Sequence, residues 1–231
     1  MRDWLSFWNS PNRIYVNDHH RDVHYREVAL EIRSLVPSPS ATVLDYGCGE
    51  ATGADLVAQA ASRLLLSDGA PIVREKLAAR FAGNGKIAVL TPDEVARLAP
   101  GTLDMIVLNS VAQYLEPDAL DDLLAVFHRL LAPDGRLVVG DVIPPHTSAI
   151  TEITALMKLA WRNGFIGAAL FGLVRTLFSQ YRALRSKLGL THYTETDMLE
   201  KLGKAGFRAA RRFPNLEHND QRMTFVGSPV P

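Results

Sequence analysis

The chain is short of the residues that define several protein classes. It has one cysteine, Cys48, in 231 residues. No intramolecular disulfide can form, and a cysteine-based metal cluster is excluded. Charge of either sign is not in excess: 25 Lys and Arg balance 25 Asp and Glu. The basic surplus that marks most nucleic-acid binders is therefore missing, and no nucleic-acid partner is expected. The longest apolar run, Gly164 to Val174, falls far below the ~18–20 residues of a membrane span. The opening MRDWLSFWN lacks the unbroken apolar core of a signal peptide. A cytoplasmic location is the resulting expectation. Asp18, His19 and His20 stand together, but no second His or Cys cluster has ligand-like spacing, so no metal is expected.

What is present reads as one globular domain with an insertion: 47% of residues are hydrophobic, enough for a sizeable core. Tyr25, Val28, Ala29, Ile32 and Leu35 recur at helical spacing over 21–36, and Pro37 and Pro39 end that helix. Short apolar strands follow at 42–45, 63–67, 87–90, 105–108 and 136–141, with a last strand at 223–226. Helical segments lie between them: one after Gly53, one from Pro71, a short one at 93–98 and one over 117–131. Pro133-Asp134-Gly135 is a turn signature. Strands alternating with helices imply βαβ units around a parallel sheet. Asp45, Asp68, Asn109 and Asp141 all fall at strand C-termini, the edge where ligands sit in such sheets.

The stretch Val43-Leu44-Asp45-Tyr46-Gly47-Cys48-Gly49-Glu50-Ala51-Thr52-Gly53 is a buried strand with an acid at its tip and a glycine loop that opens into a helix. Glycines let a cofactor lie directly on the backbone. A pyrophosphate has little use for the Asp45 carboxylate, whereas a cofactor with a cationic amino-acid head does. Asp45-x-Gly47-Cys48-Gly49-x-x-x-Gly53 resembles motif I of the class I S-adenosylmethionine-dependent methyltransferases. Leu64–Asp68, Leu103–Asn109, Leu131–Val139 and Tyr193–Leu199 with Ala205-Gly206-Phe207 resemble further elements of that family, in order.

The resemblance implies a doubly wound, Rossmann-like, mostly parallel seven-stranded α/β sheet, with S-adenosylmethionine as cofactor. It implies cofactor contacts from Asp45, Gly47, Cys48, Gly49 and Gly53, and from Asp68, at the ribose hydroxyls, with Gly69 beside it. Asn109 ends strand four on the same edge. The family often holds the adenine amine with an acid just after strand three. Here the strand runs into Thr91-Pro92-Asp93-Glu94, and Asp93 is the candidate, displaced from the usual place. Cys48 reads as a small residue between glycines rather than a nucleophile.

Residues 1–40 are expected to form an N-terminal helical cap and 41–231 the methyltransferase domain, with 146–192 as a helical lid. From Ile150 to Leu190 six cations (Lys158, Arg162, Arg175, Arg182, Arg185 and Lys187) face one acid, Glu152. The same segment is rich in Leu, Phe, Ala and Trp, and reads as two helices hinged at Asn163-Gly164. The resemblance implies a small-molecule or lipid-like acceptor, and basic charge beside a broad apolar face suggests the lipid-like one or peripheral contact with an anionic membrane. Acceptor-side candidates are Tyr15, Tyr114, Tyr181 and Tyr193, and candidate proton-removing residues are His19 and His218.

Two other functions fit parts of the pattern. Gly47-x-Gly49 followed by Asp68 roughly 20 residues on also matches a nicotinamide-dependent oxidoreductase loosely, although Asp45 and the absence of a Tyr-x-x-x-Lys pair count against it. A protein that binds the cofactor without turning it over is the other. Asn109-Ser110-Val111-Ala112 lacks the Asn/Asp-Pro-Pro-aromatic signature of amino-group DNA methyltransferases, and no Pro-Cys pair serves pyrimidine C5 methylation.

Overall fold

A computed structural model of the chain describes residues 2–9, 15, 17–147, 149–176 and 189–230. Seven strands form one sheet: β1 (Thr42–Tyr46), β2 (Arg63–Ser67), β3 (Ile87–Leu90), β4 (Leu103–Asn109), β5 (Leu131–Val142), β6 (Phe207–Arg212) and β7 (Met223–Pro229). Their order is β3-β2-β1-β4-β5-β7-β6. The first five strands pair in parallel, and β7 is antiparallel to both β5 and β6. The chain reverses between β1 and β4, which leaves a crevice at the carboxyl edge.

The central strands are buried on both faces, and their alternation sorts side chains into two cores. Leu44, Ile106 and Leu108 point into one, against Leu120, Leu124 and Phe127. Val43, Met105 and Val107 point into the other, against Val28, Ala29 and Ile32. The first core is closed by α6 (Pro117–Leu130) and α9 (Glu195–Lys204). The second is closed by α2 (Asp18–Leu35), α3 (Ala54–Ala58) and α4 (Pro71–Arg80). The remaining α-helices among the described residues are α1 (Arg2–Trp8), α5 (Pro92–Ala96), α7 (Ala149–Arg162) and α8 (Ile166–Thr176).

Local chemistry explains the helix ends. Asn17 caps α2, accepting from the His20 N–H at 2.8 Å. Thr91 with Glu94, and Thr194 with Asp197, close reciprocal capping boxes on α5 and α9. Pro71, Pro92 and Pro117 occupy first-turn positions that need no N–H donor.

Some boundaries differ from the sequence reading. Helix α2 begins at Asp18, because the Asn17 cap lies upstream of the first periodic apolar residue. Strand β5 begins at Leu131, and the 133–135 turn is absorbed as an irregularity in its pairing with β4. The hinge in the insertion is where it was expected: Gly164 adopts φ +76° between α7 and α8, a conformation that costs glycine little. The α7–α8 hairpin packs Leu159, Ala160, Phe165 and Ala169 together, with Val23 of α2 against them.

Candidate active site

The carboxyl edge of β1 and β2 forms one hydrogen-bonded unit. The Gly47 and Cys48 N–H groups both donate to the Ser67 carbonyl, at 2.7 and 3.1 Å. Asp68 accepts from the Gly49 N–H at 3.0 Å and from the Ala70 N–H at 2.8 Å. Gly47 and Gly49 have φ of +76° and +57°, and neither could carry a side chain. A β-carbon on Gly47 would overlap Val111, and one on Gly49 would lie 2.5 Å from Tyr25 Oη. Gly53 serves packing: its β-carbon would stand 2.7 Å from Ala29 Cβ and 2.8 Å from the Tyr25 carbonyl. Gly69 lies under Leu5 of α1. Cys48 is buried, and burial first, then Asp45 and Asp68, pushes its thiol well up. It is held as a thiol and not as a nucleophilic thiolate.

Asp45 has no hydrogen-bond partner among the described residues. Burial, and secondarily Asp68, lifts its carboxyl to about 7. A crowded carboxylate with no cation beside it is a receptor for a positively charged group. This donor set fits the cationic amino-acid head of S-adenosylmethionine, and the bare backbone of Gly47 and Gly49 fits close approach by the rest of it. Asp93 sits in the first turn of α5, and its charge reaches Tyr46 at the end of β1.

Across the crevice, at the ends of β4 and β5, lies a second polar cluster. Ser110 and Asp141 both adopt left-handed backbone, at φ +56° and +58°, a strain that persists only where surroundings dictate it. Ser110 Oγ is 2.5 Å from Glu217 Oε1 and 2.7 Å from Asp141 Oδ2. Asn109 Nδ2 donates to Glu217 Oε1 at 2.9 Å. Arg222 clamps Asp141 and also donates to Glu152 of α7 at 2.9 Å, tying the hairpin to the edge. Glu217 Oε2 faces His24 Nδ1 at 3.7 Å, and His218 completes a triangle whose three ligand atoms lie within 4.8 Å of one another.

Burial and the neighbouring Glu217 push Asp141 up to about 6. Glu217 is shifted downward despite its own burial, because His24, Ser110 and Arg222 favour its charged form. His20 lies beside this corner, stacked on Phe165 at 5.1 Å. Desolvation, then His24 and His218, brings its imidazole down to about 4. Tyr15 bridges the two halves. Its ring stands 5.3 Å from that of His24 and 5.8 Å from that of Tyr25, and the two phenols share a hydrogen bond.

The expected site residues thus divide. Asp45, Gly47, Cys48, Gly49, Asp68 and Gly69 share one edge. Asn109 instead braces Glu217, Tyr15 faces the polar corner and His218 belongs to it. His19 is exposed, and its Nε2 pairs with the Asn163 carbonyl at 2.9 Å, which makes it a tie to the hairpin hinge rather than a catalyst. Tyr114 packs under α1, 4.7 Å from Trp4. Tyr193 is a core residue at 5% exposure, its N–H donating to the Ile143 carbonyl. Tyr181 lies outside the described residues.

Ser110, Glu217, His24, Arg222 and Tyr25 were not singled out as site residues by the sequence reading, whereas Asp141 was placed at the ligand edge and His20 was weighed together with Asp18 and His19. The spacing of His20 and His24, one helical turn apart on α2, is the only local signal that could have found any of them.

This sheet order, with β7 antiparallel between β5 and β6, is that of class I methyltransferases, and it departs from the 3-2-1-4-5-6 order of dinucleotide-binding oxidoreductases. Residues 44–137 match the family model described as a methyltransferase domain. No curated protein sequence is similar to the chain.

Among solved structures it is similar to Haemonchus contortus phosphoethanolamine N-methyltransferase 1 in complex with phosphoethanolamine and S-adenosylhomocysteine. The TM-score is 0.63 at 17% identity, over 100% of this chain and 48% of that one. It is also similar to the magnesium protoporphyrin IX methyltransferase of Synechocystis with bound S-adenosylhomocysteine, with TM-score 0.57 at 18% identity, over 99% and 93% of the two chains. A third is the pyocyanin biosynthetic protein PhzM, with TM-score 0.56 at 18% identity; 88% of this chain matches, and it spans 54% of that protein's length. Likeness at these identities is a likeness of fold.

Proposed function

We propose that the protein is an S-adenosylmethionine-dependent methyltransferase that modifies an oxygen or nitrogen atom of a small-molecule or lipid-like acceptor by direct in-line transfer. The observation that carries this reading is the pairing of two unlike sites on one sheet edge. One is a glycine loop with an unpartnered carboxylate, and the other is a half-buried His–Glu–Ser corner, joined to the loop through Tyr15 and Tyr25.

When bound, the cofactor supplies an activated methyl group on a cationic sulfur. The chain's own residues do the rest. Asp45 neutralises the cationic amino-acid head, and Asp68 holds the loop in its binding shape through the Gly49 N–H. The Glu217 corner binds the acceptor's polar atom and favours loss of its proton. We assign α7–α8 the role of a lid: Glu152 and His19 fasten it over the corner, so that water is excluded while the groups are aligned.

The lipid-like side of this reading is supported by the outer face of the hairpin. Ile150, Trp161 and Phe171 are 77%, 75% and 72% exposed, beside the exposed cation Lys158. An apolar face with cations at its border suits an anionic membrane surface. Among the described residues no helix is long and apolar enough to cross a membrane.

Calorimetric titration with S-adenosylmethionine, S-adenosylhomocysteine and NADH tests the reading. Saturable binding of the adenosyl ligands alone is expected, followed by transfer of labelled methyl to hydroxyl- or amine-bearing acceptors. Binding of NADH alone would replace it with an oxidoreductase. Co-sedimentation with phosphatidylserine vesicles tests the membrane face, and it should fall in Trp161→Ser and Phe171→Ser.

A further inference from the structure

We propose that His24, Glu217 and His218 form a binding site for a divalent cation of the zinc type, placed to hold the acceptor's polar atom. The proposal rests on the acceptor-side reading given above and says how that corner works.

Three features support it. Glu217 Oε2 and His24 Nδ1 are 3.7 Å apart, too far for a hydrogen bond. Two ligands on a tetrahedral ion with bonds of about 2.0–2.1 Å stand about 3.4 Å apart, so the gap is close to what an ion between them requires. The third ligand, His218, is already within reach, since all three ligand atoms lie within 4.8 Å of one another. Helix α2 and the loop before β7 bring these side chains together, with His24 and Glu217 at ion-pair distance and no hydrogen bond between them.

The surroundings also suit an ion. Glu217 uses Oε1 to accept from Asn109 and Ser110, which fixes its orientation and leaves Oε2 for the metal. Supporting hydrogen bonds of this kind are what orient ligating carboxylates. Arg222 interacts with Asp141, Glu152 and Glu217, so three carboxylates meet one guanidinium, and a dication would balance the remainder. A cleft of about 370 Å³ between α2, α7 and the 214–220 loop opens on Glu217 and His218, giving an entry path. Two imidazoles and one carboxylate select a borderline cation such as Zn²⁺ over Mg²⁺ or Ca²⁺. Such a set leaves a further position open, as in catalytic sites. An acceptor hydroxyl bound there would become acidic through the cation, with no imidazole required as base.

The test is titration of the chelator-stripped full chain with CoCl₂ and ZnCl₂. The expected result is one equivalent of Co²⁺ giving visible ligand-field bands, displaced by one equivalent of Zn²⁺, together with a Zn²⁺-dependent rise in melting temperature. His24→Ala and His218→Ala should each weaken Zn²⁺ binding at least tenfold, while His19→Ala should not. No saturable cobalt spectrum and no zinc-dependent stabilisation in the unmodified chain would overturn the site, as would unchanged affinity in both variants. S-adenosylhomocysteine titration of the same stripped protein separates the two readings. Cofactor binding without metal binding removes only the ion, whereas failure of cofactor binding removes the methyl-transfer reading itself.

Discussion

The phenol oxygen of Tyr25 stands 2.5 Å from where a β-carbon on Gly49 would lie, while accepting a hydrogen bond from the Glu50 N–H at 2.9 Å. A residue of α2 therefore sets the shape of the glycine loop. Gly49→Ala should clash with the hydroxyl and also strain a φ of +57°. We expect a loss of roughly 1–3 kcal/mol of stability and at least tenfold weaker S-adenosylhomocysteine binding. Tyr25→Phe should cost about 1 kcal/mol alone and should relieve part of the Gly49→Ala defect in the double variant. Chemical denaturation of the four proteins measures that coupling, and strict additivity would count against the contact.

Asp45, if it receives the cofactor as proposed, should make cofactor affinity depend on pH. Its carboxyl is lifted to about 7 in the free protein. This group stabilises the free fold as pH falls, because the folded form takes up the proton before the unfolded one does, and that contribution is lost as pH rises through 7. A cationic ligand head favours the ionised carboxylate instead. Affinity for S-adenosylmethionine should hold above pH 7 and weaken below it, approaching tenfold per unit. Asp45→Asn should bind weakly with a flat profile between pH 5 and 8, and calorimetry across that range decides it.

Asp68 has a structural duty as well as its expected place beside the cofactor. Asp68→Ala leaves the Gly49 and Ala70 N–H groups without their acceptor. Each loss costs roughly 1 kcal/mol. The variant should melt at a lower temperature and bind S-adenosylhomocysteine at least several-fold more weakly. Equal melting temperatures would show that solvent replaces the carboxylate freely.

Ser110 separates backbone strain from side-chain chemistry. At φ +56° a glycine fits without penalty, whereas an alanine keeps the strain. Both Ser110→Gly and Ser110→Ala delete the hydroxyl shared by Asp141 and Glu217. Methyl transfer should fall by at least about tenfold in both, while Ser110→Ala should be the less stable by about 1 kcal/mol. Equal stability of the two would show that position 110 relaxes.

His20 should make the fold acid-sensitive. Its imidazole is depressed to about 4 from 6.5, so the stabilisation is complete above pH 6.5 and is lost as pH falls toward 4. The change is on the order of 3 kcal/mol. In His20→Phe, which preserves the stack on Phe165, denaturation midpoints should fall less steeply over that interval.

Much of this molecule was legible in its residues because the information is local. Buried parallel strands are continuous apolar runs, so β1, β2, β3 and β4 were found within two residues of their ends. Motif I could be read because close cofactor approach and a tight turn both demand glycine at fixed positions. The hinge at Asn163-Gly164 was visible for the same reason. The start of β5 was not, because a Pro-Asp-Gly turn normally breaks a strand, and only pairing with β4 carries the ladder through it. Tyr193 shows the opposite failure: an aromatic in a polar loop looked available to a ligand, yet α9 and the sheet bury it.

By itself, then, the sequence determined the α/β alternation, the glycine loop with Asp45 and Asp68, and the amphipathic hairpin, since each is written in residues near one another along the chain. Only the tertiary structure decided the corner that we propose holds the acceptor. Helix α2 brings His24, β4 ends at Ser110, and the loop before β7 brings Glu217 and His218 to the same point. Their meeting depends on β7 running antiparallel beside β5, which returns the 214–222 loop to the carboxyl edge. No local pattern of residues encodes that return, because it is the burial of two opposed cores that selects the strand order.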